Sequence, residues 1–65
     1  MFSAWDRQVG SYLHTGRNSP SREKCTTAVL EMLEVDVEKG WRKLPVKERL
    51  EHFQIEIHEH KELIG

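Results

Sequence analysis

Cysteine and proline are scarce in this sequence, which has one cysteine and two prolines among 65 residues. Because Cys25 has no second cysteine to pair with, an intrachain disulfide and zinc sites built from C-x-x-C pairs are excluded. A lone thiol is typical of a reducing compartment, so we expect an intracellular protein, either cytoplasmic or nuclear.

Long apolar runs are also missing. No window approaches the ~20 apolar residues of a transmembrane helix, and the first residues lack the basic and apolar segments of a signal peptide. Glycine-rich phosphate loops and the G-x-S-x-G and H-E-x-x-H motifs are absent. We therefore expect a protein that is not an enzyme, holds no cofactor and does not contact a membrane.

Charge is plentiful but segregated along the chain, although the net charge is only −1. Residues 31–38 carry four acidic side chains and no basic one, whereas residues 39–49 carry five basic side chains and one acidic. Residues 50–65 are acidic again. Alternating blocks of this kind favour antiparallel helix packing or self-association.

Helical spacing of apolar residues is the main structural signal, and the length suits a single domain over 1–65. A first helix is predicted near 4–14, with Ser3 as N-cap and Trp5, Val9 and Tyr12 on one face. A second is predicted near 20–43, beginning at Ser19-Pro20. Its apolar stripe comprises Cys25, Ala28, Val29, Met32 and Leu33.

A third helix is predicted near 46–63, because Pro45 ends the preceding helix and can start another. Residues 53–58 also alternate between apolar and polar, as in a half-buried strand, but no second strand is evident to pair with them. The predicted fold is therefore all-α, with an antiparallel helical hairpin broken at Leu44-Pro45. Its expected core comprises Trp5, Val9, Leu13, Cys25, Val29, Met32, Leu33, Val37, Trp41, Leu44, Leu50, Phe53 and Ile57.

The predicted function is that of a non-enzymatic protein-interaction module, such as an adaptor, regulator or inhibitor, that also self-associates as a homodimer. Apolar residues on a second face of the long helices exceed what one small core can bury. The predicted contact surface consists of Leu30, Ile55 and Leu63 with the rim Trp41, Arg42 and Lys43.

Two alternatives remain open. A small DNA-binding regulator would use the basic elbow Lys39, Arg42, Lys43, Lys47 and Arg49. A metal-stabilised domain would use the C-terminal histidines. On a helix, His52, Glu56 and His60 share a face, but the two histidines stand about 12 Å apart along the axis, so no metal site is assigned. If His52, His58 and His60 lie at an interface, association should vary with pH.

Several segments together resemble the BESS motif, over roughly residues 33–57. They are Leu33-Glu34-Val35-Asp36-Val37, Trp41-Arg42-Lys43-Leu44-Pro45, Arg49-Leu50 and the pair Ile55 and Ile57. That motif lies near the C-terminus of certain DNA-binding regulators and is associated with protein–protein contacts, including self-association. The resemblance therefore implies oligomerisation.

Overall fold

The computed structural model describes residues 1–35 and 45–65. This part of the chain combines a small antiparallel sheet with two helices. The all-α prediction is wrong, because these residues form a mixed α/β structure, and the predicted helical hairpin is not its organising unit. Its elements, in chain order, are β1 (Phe2–Asp6), β2 (Ser11–Tyr12), α1 (Arg22–Val35), α2 (Val46–His52) and β3 (Ile55–Glu59).

The central strand of the sheet is β1, with β2 on one side and β3 on the other. Both pairings are antiparallel. Trp5 stands opposite Tyr12 of β2, and Ala4 stands opposite Ile57 of β3. The alternation of residues 53–58 is typical of a strand, but the sequence shows no second strand to pair with it. The structure provides that partner as β1, far away along the chain.

The predicted helix over 4–14 is wrong because a tight turn interrupts it. The Asp6 carboxylate accepts the Gln8 N–H at 2.8 Å, and the Asp6 carbonyl accepts the Gly10 N–H at 2.8 Å. Gly10 adopts a φ of 69°, which costs glycine little. The chain thus reverses into β2, and Val9, expected in the core, lies in the turn with 69% of its surface exposed.

α1 confirms the clearest apolar stripe of the sequence. Cys25 and Val29 are fully buried. The helix begins at Arg22 rather than near residue 20, because the Ser21 hydroxyl accepts the Lys24 N–H at 3.1 Å and so caps the first turn. The predicted extension to 43 falls largely on residues 36–43, which lie outside the described residues.

α2 begins at Val46 after Pro45, as predicted, but it ends at His52. Gln54 then takes a φ of 58°, a left-handed conformation that ends the helical path. The predicted helix over 46–63 is wrong beyond this point, since β3 follows. Leu44, the other half of the predicted break, lies outside the described residues.

The core lies between one face of the sheet and the helices. Residues opposite one another in a sheet share a face, so Ala4 and Ile57 lie on the same side. This side, which we call the covered face, packs on α1. Its buried cluster is Ala4, Cys25, Val29 and Ile55, and around it pack Phe2, Leu13, Leu33, Leu50, Phe53 and Ile57. Of the predicted core, Val37, Trp41 and Leu44 lie outside the described residues.

Candidate functional site

The other side of the sheet carries aromatic and polar side chains, and we call it the open face. Alternate residues of a strand point to the same side of the sheet, and each of the three strands contributes such residues to the open face. They are Ser3 and Trp5 of β1, Tyr12 of β2, Glu56 and His58 of β3, and His60 just beyond β3.

Three rings of the open face pack on one another. The Trp5 and Tyr12 ring centroids are 4.9 Å apart and meet edge to face. Trp5 and His58 lie nearly parallel, with centroids 6.0 Å apart and planes 13° apart. Tyr12 and His58 meet edge to face at 5.6 Å. Because each ring contacts the other two, this part of the open face forms a small cluster that ties β2, β1 and β3 together.

Both ring nitrogens of His58 form hydrogen bonds, one with Glu56 and the other with Tyr12. Its Nε2 lies 3.0 Å from Glu56 Oε1, and its Nδ1 lies 2.9 Å from the Tyr12 hydroxyl. An ionised carboxylate can only accept, so neutral His58 carries its proton on Nε2 and accepts the Tyr12 O–H at Nδ1. The hydrogen bonds therefore determine the tautomer of His58.

His60 is held in the same way at the other end of the open face. Its Nδ1 lies 2.7 Å from the Glu62 carbonyl oxygen, and its Nε2 lies 2.7 Å from Ser3 Oγ. A carbonyl only accepts, so neutral His60 is protonated on Nδ1 and accepts the Ser3 O–H at Nε2. Ser3 Oγ in turn accepts the Asn18 N–H at 2.9 Å. Fully buried Ser3 thus has a partner for its proton and for its oxygen.

These contacts define what the open face can do chemically. Both ring nitrogens of His58 and His60 are engaged within the chain, so neither neutral imidazole offers a free lone pair to a metal ion. No group of three potential metal ligands occurs in residues 1–35 and 45–65. The Ser3 hydroxyl is inaccessible to a substrate. The arrangement instead suits a rigid surface whose side chains are held in fixed positions.

Cys25, which the sequence places on the apolar stripe of α1, lies in the core. Burial raises the pKa of its thiol, while a hydrogen bond with Ser19 and the charge of Arg22 act in the opposite direction. A catalytic cysteine needs a lowered pKa and an accessible sulfur. Cys25 has the environment of a small buried hydrophobic residue instead.

One edge of β3 pairs with β1 and the other does not. The backbone of Gln54 and that of His60, on either side of β3, both bond to the β1 side. Because backbone groups alternate in direction along a strand, the N–H and C=O groups of Ile55, Ile57 and Glu59 point away from β1. We call these three residues the outer edge.

Arg22 is the neighbour of the outer edge. Its Nη1 donates to the Ile57 carbonyl oxygen at 3.3 Å, and its guanidinium carbon lies 5.3 Å from the centre of the Phe2 ring. Apart from this contact, the described residues supply no hydrogen-bond partner to the backbone of the outer edge. Within the described part of the chain, the outer edge of β3 is therefore a row of backbone donors and acceptors in which the Ile57 carbonyl alone has a hydrogen-bond partner.

Half of the predicted contact surface, Leu30, Ile55 and Leu63, lies among the described residues. Ile55 is 6% exposed and its side chain belongs to the core, so this side chain is not available to a partner. Leu63, beyond β3, is 75% exposed, whereas Leu30 is partly buried on α1. The rim residues Trp41, Arg42 and Lys43 lie outside the described residues.

The residues of the two alternatives are also described only in part. Lys47 is exposed on α2 and Arg49 is partly buried there, while Lys39, Arg42 and Lys43 lie outside the described residues. His52 lies on α2, where its ring meets that of Phe53 edge to face at 5.1 Å. The predicted helical face shared by His52, Glu56 and His60 does not exist, because Glu56 lies in a strand.

The open face and the outer edge were missed, although the signal for both was present. Residues 53–58 alternate between apolar and polar, and this alternation correctly separates Ile55 and Ile57 from Glu56 and His58. In β1, Phe2 and Ala4 likewise lie on one side and Ser3 and Trp5 on the other, but the aromatic Trp5 makes the apolar–polar alternation of this strand incomplete. The stronger helical spacing of Trp5, Val9 and Tyr12 obscured that second strand.

Comparisons of the chain with known protein families, with curated proteins and with solved structures gave no match. The resemblance to the BESS motif therefore stays a prediction. Neither described helix is long and apolar enough to cross a lipid bilayer.

Proposed function

We propose that this chain is a non-enzymatic protein-interaction module that binds an extended segment of a partner along the outer edge of β3. The observation that carries the proposal is the outward direction of the backbone groups of Ile55, Ile57 and Glu59. An added strand would pair with these groups and extend the sheet by one strand. Recognition of this kind takes its affinity from backbone hydrogen bonds and its specificity from alternate side chains.

The rest of the fold holds β3 in place for such binding. All five residues of β3 stand opposite residues of β1, and β1 is itself paired on its other side. Ile55 anchors the strand in the core, while His58 fixes it to Trp5 and Tyr12 on the open face. A partner would therefore meet a strand that is already ordered, which lowers the entropy cost of binding.

The side chains beside the outer edge give a partner two different surfaces. Ile57 is partly buried on the covered face, and Glu56 and His58 stand on the open face. A matching segment would place apolar residues beside Ile57 and polar or charged residues beside the other two. The exposed side chain of Leu63 lies a few residues further along the chain and is a candidate for additional contact.

A selection from displayed peptide libraries tests the proposal, with the purified protein as bait. Glu59→Pro removes an N–H that points away from β1, so it should block strand addition while leaving the pairing with β1 intact. Glu59→Ala is the matched control, because it removes the same exposed side chain and keeps the N–H.

Peptides that bind the wild type and Glu59→Ala, but lose at least about tenfold in affinity for Glu59→Pro, would support strand addition at the outer edge. Circular dichroism must show that both variants keep the wild-type content of helix and strand. Selected peptides that bind all three proteins equally would place the binding surface elsewhere and would overturn the proposal.

A further inference from the structure

Given the proposed function, we infer that one occupant of the outer edge is the outer edge of a second copy of this chain. The two β3 strands would run antiparallel about a two-fold axis centred on Ile57, and two three-stranded sheets would join into one of six strands. This inference rests on the proposed function and names the partner, the orientation and the register.

The backbone of β3 permits this register. Only residues 55, 57 and 59 direct their backbone groups outward, so hydrogen-bonded pairs across the interface must join odd-numbered residues. Centring on Ile57 pairs Ile57 with its own copy, and it pairs Ile55 of each chain with Glu59 of the other. All outward donors and acceptors of both strands then face a partner group.

The side chains of the open face favour the same register. With Ile57 at the axis, Glu56 of each copy stands opposite His58 of the other. These are pairs without mutual backbone hydrogen bonds, in which side chains approach more closely. Within each chain Glu56 Oε1 already lies 3.0 Å from His58 Nε2. The four side chains would therefore alternate between carboxylate and imidazole around the axis, and in each chain Arg7 Nε lies 3.4 Å from the other carboxylate oxygen, Glu56 Oε2.

Neighbouring registers lack this complementarity. An axis at residue 56 places Glu56 opposite its own copy, so two carboxylates meet, and like charges directly opposite one another destabilise a sheet. An axis at His58 places two imidazoles opposite each other and leaves Ile55 outside the pairing. Opposite groups therefore match best when the axis passes through Ile57, where two isoleucines also meet on the covered face.

Arg22 competes with the second copy for one acceptor. Its guanidinium bonds to the Ile57 carbonyl at 3.3 Å in the single chain, and the incoming strand needs that same oxygen or its second lone pair. The paired segment is also only five residues long. We therefore expect a weak dimer, with a dissociation constant in the micromolar range, rather than an obligate one.

Sedimentation equilibrium over a concentration series tests the dimer, and charge exchange tests its register. Glu56→Arg should weaken self-association at least about tenfold, because each introduced guanidinium would stand opposite a His58 imidazole instead of completing a carboxylate–imidazole pair. His58→Glu should weaken it similarly by opposing two carboxylates. Mixed in equal amounts, the two variants should associate with each other about as tightly as the wild type, since every opposite pair then regains complementary partners.

Glu31→Arg is the matched control, because it makes the same change of charge on an exposed position of α1. Position 31 lies about 13 Å along the helix from Arg22, whose side chain bonds to the Ile57 carbonyl of the outer edge. This variant should dimerise like the wild type. A variant that merely folds poorly would not be rescued by mixing, so rescue separates the proposed register from a structural effect, and circular dichroism verifies the fold of each variant.

The inference is overturned if the wild type sediments as a monomer up to about 1 mM, far above the expected dissociation constant. It is also overturned if the mixed variants associate no better than either one alone. These outcomes leave the proposed function standing when selected peptides still lose affinity for Glu59→Pro. Dimerisation that Glu59→Pro leaves unchanged would contradict both proposals.

Discussion

The covered face of the sheet packs Ala4 and Ile55 against Cys25 and Val29 of α1, whereas the open face joins its side chains by hydrogen bonds and ring contacts. On the covered face, stability comes from apolar area removed from water, so substitutions of similar volume should be tolerated. On the open face, each polar group depends on one specific partner. The two faces of β1 therefore restrict substitutions differently. The covered face restricts the volume of a side chain, and the open face restricts its hydrogen-bonding groups.

The largest expected effect belongs to the covered face. Val29 is fully buried, so Val29→Ala removes two methyl groups from the core and should lower the free energy of unfolding by about 2 kcal/mol or more. Thermal and urea denaturation would measure this change. Val46→Ala is the control, since Val46 is 46% exposed and its loss should cost no more than about 0.5 kcal/mol. Equal losses in both variants would contradict the assignment of the core.

A somewhat smaller effect is expected at Ser3. Ser3→Ala would leave the Asn18 N–H and His60 Nε2 without their partner, and this should cost about 1–2 kcal/mol although the residue is small. Ser11→Ala, at an exposed position of β2, serves as the control in the same urea titration. A Ser3→Ala variant as stable as the wild type would show that the hydroxyl does not support the fold.

Tyr12→Phe tests the hydrogen bond between the rings separately from their packing. The substitution keeps the ring against Trp5 and removes the hydroxyl that His58 Nδ1 accepts, so we expect a loss of about 0.5–1.5 kcal/mol. In a His58→Phe background the same change should cost almost nothing, because the partner is already gone. A full loss in that background would assign the hydroxyl a different partner.

The smallest effect concerns the titration of Cys25. Burial raises the pKa of its thiol, so the folded protein keeps this proton to a higher pH than the unfolded chain does. The resulting stability is complete below the pKa of the unfolded thiol and is lost as pH rises through that of the folded one. The difference in unfolding free energy between wild type and Cys25→Ala should therefore decline as pH rises from about 8 to about 10. A constant difference would contradict this.

Local signals in the sequence predicted α1 and the start of α2 correctly. The spacing of the apolar residues in α1 fits a helix. Pro45 restricts the backbone at its own position and at the preceding residue in any tertiary structure. The pairing of β1 with β3 is different. It joins residues far apart in the chain, as in the bond between Ser3 and His60, which are 57 positions apart, and no local pattern indicates which strand will pair with which.

The candidate site depends on that pairing and was therefore missed. His52, Glu56 and His60 form a helical pattern when the sequence is read at a spacing of four, whereas Glu56, His58 and His60 form one side of a strand when it is read at a spacing of two. The second spacing is meaningful only once β1 is known to be a strand. The turn at Asp6 and Gly10 separates β1 from β2. It is the local feature that distinguishes two strands from a single helix over residues 4–14.

The position of β1 in the sequence also determines the order in which the sheet can form. This central strand is made before all the other described elements, yet its longer neighbour β3 is the last of them and follows α2. Before β3 emerges, β1 can pair with the two residues of β2 and form the isolated bridge between Phe2 and Ser19, which is too little for a stable sheet. Contacts between such distant segments slow folding, so we expect β1 to remain exposed to chaperones and proteases until the chain is released as far as Glu59.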